Sequence, residues 1–319
     1  MRNSGDRDGA FCPSRSFSCQ RAAPVAGVTQ ATGPVAPPVP CRRHPPLARR
    51  HVLPGFGLTL GITLFYVGLI IVLPLAALAV KAASLGFEDY WRVVSSARAV
   101  ASYRVTVLSA LAATAFNVVF GLALAWVLVR YRFPGRQIVD ALVDVPFALP
   151  TAVAGIALTT LFAPSGWFGA PLSAIGVTVA YTPLGIMIAM AFTSLPFIVR
   201  TVQPVLEDLD PAAEEAGRVL GARDGTIARK IIFPEIAPAL ITGASLAFAR
   251  SLGEFGAIIF IAGNQPNRTE ITALLAFIRL EEFDYPAAAA IASALLLAAF
   301  AILAFTGALN AVATRHLER

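Results

Sequence analysis

Charge is scarce in this chain. Only 14% of its 319 residues are Asp, Glu, Lys or Arg, and 57% are hydrophobic; a soluble domain carries about 25% charged residues. With a mean hydropathy of +0.71, the balance points to a polytopic membrane protein. Cysteine is confined to Cys12, Cys19 and Cys41, and histidine to His44, His51 and His316. All lie outside the apolar body, which excludes a disulfide framework, a metal cluster or a histidine proton relay within it. The only lysines are Lys81 and Lys230, and neither follows a glycine. The Gly-x-x-x-x-Gly-Lys-Ser/Thr phosphate loop is therefore missing. The body also lacks a Ser/His/Asp or Cys/His constellation, so an enzyme is not expected. The net charge of +6 could suggest nucleic acid. The basic residues stand at the ends of apolar runs rather than along one soluble face, which excludes that partner.

What is present is a series of long apolar runs. Residues 1–51 form a basic, Pro-rich tail, expected to be disordered; the alternative is a start codon downstream of Met1, with part of this segment not made. Residues 57–80 and 105–129 are each long enough to cross about 30 Å of hydrocarbon. Between them, Glu88 to Arg92 include Tyr90 and Trp91, which suit an interfacial belt. Residues 145–199 hold no charge and are too many for one crossing. Pro164 to Gly166, with Gly169 and Pro171, divide them into spans of roughly 138–163 and 179–200. Residues 236–262 and 285–313 complete six expected spans. The fold class is all-α and polytopic, lying in a lipid bilayer.

The Lys and Arg distribution orients the chain. With a cytoplasmic N-terminus, the tail, residues 130–136, residues 200–235 and the C-terminus lie inside and hold 18 of the 25 basic residues. The same reading puts the C-terminus in the cytoplasm.

Residues 208–234 are the longest charged interruption in the apolar body. Asp210 suits a helix N-cap and Pro211 the first helical position. Gly221 suits the left-handed residue just past a helix end. The helix between them is about ten residues, or 15 Å, too short to cross a bilayer. Ala213, Ala216, Gly217 and Leu220 share one small face at i, i+3, i+4, i+7 spacing. Glu214, Glu215 and Arg218 point elsewhere. A second short helix is expected from Asp224 to Phe233, ending before Pro234.

Glu215-Ala216-Gly217, three residues, Gly221, nine residues, then Ile231-Ile232-Phe233-Pro234 resembles the EAA loop of permease subunits of bacterial ABC importers. The family pattern has Ala where this chain has Gly217 and Leu where it has Phe233. The resemblance covers about residues 52–313 and is closest to sulfate/thiosulfate permeases of the T-subunit type, related to molybdate permeases. Matching stretches include Asp144-Val145-Pro146-Phe147-Ala148-Leu149-Pro150-Thr151 and Ser251-Leu252-Gly253-Glu254-Phe255-Gly256. The resemblance implies a MetI-like, type I permease domain over 52–319 with a coupling loop at 201–235. It also implies a homologous second permease subunit, two ATPase subunits and a periplasmic sulfate/thiosulfate-binding protein in an inner-membrane complex. No cofactor is expected on this chain; ATP-Mg belongs to the ATPase. Molybdate or tungstate import is the alternative within the class, and an ion-coupled anion carrier the alternative outside it.

Inside the spans, Arg250 and Glu254 lie one helical turn apart. Intramembrane charges pair with each other or face a pathway, and both readings stand. Pro146 and Pro150 are expected to bend a span or form a gate. Asp140 and Asp144 are expected to cap a helix or bridge to Arg130, Arg132 or Arg136. Gly121 with Ala125, and Gly243 with Ala247, are small-residue pairs suited to close helix packing, and Asn117 suits an interhelical hydrogen bond.

Overall fold

A computed structural model describes the backbone of residues 56–317 and the side chains of 57–308. The tail at 1–51 lies outside the described residues. Among those described, the regular structure is helical throughout, with no strand. Five stretches are long and apolar enough to cross a membrane: Gly57–Ala83, Ala97–Arg130, Pro183–Glu207, Asp224–Leu252 and Tyr285–Ala308.

The first is built from α1 (Phe56–Val67), a π-helical segment (Gly68–Val72) and α2 (Leu73–Ala83). No residue of its most apolar window is fully buried, although α2 packs on the last helix of the chain. The remaining sides of a span apolar all round require lipid or another subunit. A short amphipathic helix, α3 (Phe87–Val94), follows.

The core lies between three long helices. α4 (Ala97–Arg130) has 34 residues, about 51 Å at 1.5 Å per residue. It packs on α9 (Pro183–Glu207), and both pack on α12 (Phe233–Leu252). Small residues set the closeness of these contacts. A Cβ at Gly121 would lie 3.0 Å from Ile198 Cγ2, and one at Gly243 would lie 3.1 Å from Ile198 Cα. The two expected small-residue pairs thus both meet α9. Asn117 on α4 donates to the Ala191 carbonyl and to Ser194 Oγ of α9, each at 2.9 Å, the interhelical bond expected of it.

Three expectations differ from the structure. The crossing expected at 138–163 is not one helix. It is α5 (Arg136–Val143), α6 (Val145–Ala148) and α7 (Thr151–Phe162). Leu149 and Pro150 between the last two are extended, at ψ 133° and 130°; Leu149 is driven out of the helical region by the proline that follows it, and Pro150 takes the N-cap conformation of α7. α8 (Gly169–Ala174) then connects to α9.

Next, the span expected at 236–262 stops at Leu252, and a separate turn of helix, α13 (Ile258–Ile261), follows. Finally, the short helix expected to end before Pro234 continues through it. α10 (Pro211–Val219) stands alone, but α11 (Asp224–Ile227), a π-helical segment (Ala228–Ile232) and α12 form one rod. The Phe233 N–H reaches five residues back to the Ala228 carbonyl. That wider turn accommodates Pro234, which has no N–H to donate, within the continuous rod. Beyond these, α14 (Thr272–Glu281) packs on α15 (Tyr285–Leu317).

Candidate functional site

α10 is closed at both ends as its residues dictate. Asp210 is extended and its carboxylate accepts from the Ala212 N–H at 2.9 Å. At the other end Gly221 has φ +79°, which only glycine adopts without strain. The Ala222 N–H bonds the Gly217 carbonyl and the Gly221 N–H bonds the Arg218 carbonyl, the paired Schellman closure.

The face expected to be small and outward is divided. Gly217 is buried, and a Cβ there would lie 3.1 Å from Ile231 Cδ1 and 3.3 Å from Ile227 Cγ1. It faces the chain's own rod. Ala213 lines an open cleft of 310 Å³ together with Val205, Leu209, Ile231 and Glu235. Ala216, Leu220 and Glu215 are exposed, and Val219 and Leu220 are 87% and 86% exposed. The surface α10 presents is therefore Glu215, Ala216, Val219 and Leu220. The reason is geometric: a nine-residue helix set down on Ile227 and Ile231 through its one glycine turns the neighbouring positions outward.

Glu214, expected to point away, is buried. Its carboxylate binds the Arg130 guanidinium and lies 3.6 Å from Arg218. Arg130 also stacks over Trp126, 5.3 Å from the ring centroid. This pair ties α10 to the last turn of α4. Asp140 and Asp144 do not reach Arg130, Arg132 or Arg136. They hold Arg200 of α9, at 2.7 and 2.6 Å. Local spacing suggested the nearby arginines, but the helix break turns both carboxylates toward α9.

Arg250 and Glu254 do pair, at 2.6 Å between Nη1 and Oε2. The pair spans the end of a helix rather than lying within one, because α12 stops at Leu252. Beyond this ion pair, Glu254 Oε2 is buried with no further partner among the described residues. Glu254 Oε1 accepts from the Ala257 N–H at 3.1 Å. Two interruptions meet at this level. A Cβ on Gly155 of α7 would collide with the Ala257 backbone, and one on Gly256 would collide with Thr151. The Leu149–Pro150 break and the 253–257 turn are thus packed together. Pro146 stands in the first turn of α6 and Pro150 caps α7. Non-helical backbone at membrane depth requires such burial in protein, or a cavity.

Residues 117–319 match the family described as binding-protein-dependent transport system inner membrane component. The chain belongs to that family. It is also 56% identical over 257 residues to the sulfate transport system permease protein CysT of Salmonella typhimurium, covering 81% of this chain and 93% of that protein. The CysT protein of Escherichia coli is 55% identical over the same share of each chain. That of Synechocystis is 49% identical over 235 residues, covering 74% and 82%. In fold, the chain is similar to the crystal structure of a bacterial ABC transporter involved in the import of the acidic polysaccharide alginate. The TM-score is 0.68 at 18% identity, over 80% of this chain and 94% of that one.

As an inner-membrane component of binding-protein-dependent transport, the chain is a multi-pass permease. Its residue-level network includes ion pairs that periodicity could not give: Arg130 with Glu214, Arg200 with Asp140 and Asp144, and Arg98 with the buried Glu270. Each joins residues at least 56 positions apart. The available signal was charge at helix ends, which limits the candidates without choosing among them.

Proposed function

We propose that this chain is the permease subunit of an ATP-driven importer that carries sulfate or thiosulfate across the inner membrane. The observation that carries the substrate is the 56% identity to a sulfate transport system permease over 93% of its length. The observation that supports the drive is α10, a short capped helix whose inner face is packed and whose outer face is bare. A helix held so firmly with so little of its outer side used is a docking element. Its partner is an ATPase subunit, since this chain has no phosphate loop. The complex has two ATPase subunits, which bind ATP-Mg, a second homologous permease and a periplasmic binding protein that delivers the anion. The N- and C-termini, α10 and the basic turn at 130–136 face the cytoplasm, in keeping with the Lys and Arg count.

The path for the anion runs past the two packed interruptions, with Pro146 and Pro150 on one and Arg250 with Glu254 on the other. Arg250 attracts a divalent oxyanion, and Glu254 beside it keeps the hold weak enough for release.

The test is uptake of labelled sulfate in a strain lacking its own sulfate permease, complemented with this chain and its partner subunits. Restored uptake that competes with thiosulfate and ends on ATP depletion is expected. Uptake blocked by molybdate alone would transfer the substrate to molybdate. Uptake that survives ATP depletion but collapses with the proton or sodium gradient would refute the ATP-driven reading.

A further inference from the structure

We propose that Arg200 is the positioning residue that transmits motion of the docking helix to the broken third crossing. The inference rests on the permease reading above. Arg200 lies about two turns before the end of α9, and α9 leads within a few residues into α10. A guanidinium has five N–H donors, and here all five are used. Nε and Nη2 donate to the two Asp144 oxygens at 2.9 and 2.6 Å. Nη1 donates to Asp140 Oδ1 at 2.7 Å and to Gln203 Oε1 at 2.8 Å. Nη2 also donates to the Asp140 backbone carbonyl at 2.9 Å.

The acceptors sit where leverage is greatest. Asp140 is within α5, and Asp144 is the hinge residue that ends α5 and begins α6. α6 leads across Leu149–Pro150 into α7, whose Thr151 and Gly155 bear on Gly256 and Ala257. The chain joins α10 to α9 through three residues, and from Arg200 of α9 a line of contacts runs to α5, α6, α7 and the turn that holds Glu254.

The three charged side chains are 32%, 40% and 49% exposed. An isolated pair this exposed adds little to stability, but a bidentate arginine within a network of charges is the exception. What the arrangement supplies beyond stability is geometry. A planar fork bound to a carboxylate on two edges fixes orientation as well as distance, and lysine cannot reproduce it.

The experiment uses the whole transporter in proteoliposomes with its loaded binding protein, measuring sulfate moved and ATP hydrolysed in the same vesicles. Arg200→Met is expected to assemble and hydrolyse ATP within twofold of wild type, while sulfate moved per ATP falls at least tenfold. Arg200→Lys and Asp144→Asn should give intermediate ratios, because each keeps part of the network. A wild-type ratio in Arg200→Met, or parallel losses of uptake and hydrolysis, overturns the proposal. If Arg200→Met fails to assemble, the other two variants decide by the same ratio; failure of all three to assemble assigns Arg200 to folding and also overturns it. Wild-type vesicles that move no sulfate on ATP would instead refute the function on which the inference rests.

Discussion

Gly217 is one of the points at which α10 packs on the rest of the chain, beside the Glu214–Arg130 tie, and replacing it separates packing from the docking proposed for this helix. Ala is the residue that the resembling family's pattern carries there. Its Cβ would lie 3.1 Å from Ile231 Cδ1 and 3.3 Å from Ile227 Cγ1, so those flexible side chains must give by a few tenths of an ångström. Against that stands the helix preference for Ala over Gly, about 0.8–1 kcal/mol. The net effect of Gly217→Ala is neutral to stabilising, up to about 0.5 kcal/mol. Gly217→Leu adds three more carbons to the same contact. Overpacking of this kind costs about 1–3 kcal/mol, which exceeds the propensity gain. The relief available is for α10 to lift off the rod, since the spans are packed elsewhere. At about 1.4 kcal/mol per factor of ten, a net loss near 1.5 kcal/mol lowers the ratio of seated to lifted α10 about tenfold. The assay is co-purification of the ATPase subunit with the membrane-extracted permease, with sulfate uptake measured in parallel. Gly217→Ala should match or exceed wild type in both. Gly217→Leu should reach the membrane in normal amount and lose at least most of both. Normal co-purification and uptake in Gly217→Leu would refute the claim that Gly217 seats the helix.

Substitutions on the bare face should leave the permease intact: Glu215→Arg and Val219→Asp are expected to preserve yield and thermal stability while ATPase co-purification falls at least tenfold, and unchanged co-purification would remove this face as the docking surface. Glu254→Gln keeps the acceptor for Ala257 but breaks the ion pair, at a cost of about 1–3 kcal/mol once the partial exposure of Arg250 is discounted. Thermal melting of Glu254→Gln, Arg250→Met and the double variant should show the double less destabilised than the sum, and strict additivity would mean that the pair carries no coupling. Pro150→Ala should cost about 0.4–1 kcal/mol through a freer unfolded chain, yet reduce uptake more than that loss explains; uptake and melting temperature falling in proportion would confine Pro150 to stability.

The spans were legible because lipid leaves a strong mark: every stretch that crosses in one helix is apolar, and its charges gather at the ends. The ends of α10 were legible for a different reason. Asp210, Pro211 and Gly221 act on their own backbone, so their effect is local and appears in the sequence as spacing. The third crossing was misread because composition does not reveal continuity. Residues 138–163 are apolar enough to cross, and Pro146 and Pro150 were visible, but a proline can kink a helix or end it. Which of these happens is set by tertiary contacts, here Gly155 against Ala257 and Asp144 against Arg200. The burial of Glu214 was hidden in the same way. Its partner Arg130 closes a helix 84 residues earlier, and only the end-to-end packing of α4 and α9 brings the two together.

Glu254 and Arg250 have different duties although they form one pair. Glu254 is 1% exposed and Arg250 34%. The carboxylate is occupied on both sides, by the Ala257 N–H and by Arg250, so its burial is accounted for without any ligand. It holds the turn that replaces the last part of the expected span. Arg250 makes no other ion pair or hydrogen bond among the described residues, and a guanidinium has five donors. The pair carries no net charge, and its more accessible group is the guanidinium. That asymmetry arises because the helix ends at Leu252. In an unbroken helix the carboxylate would sit a turn above the arginine on the same face, with no backbone N–H to bind. Ending the helix gives Glu254 a structural partner and leaves the Arg250 guanidinium as the more accessible member of the pair.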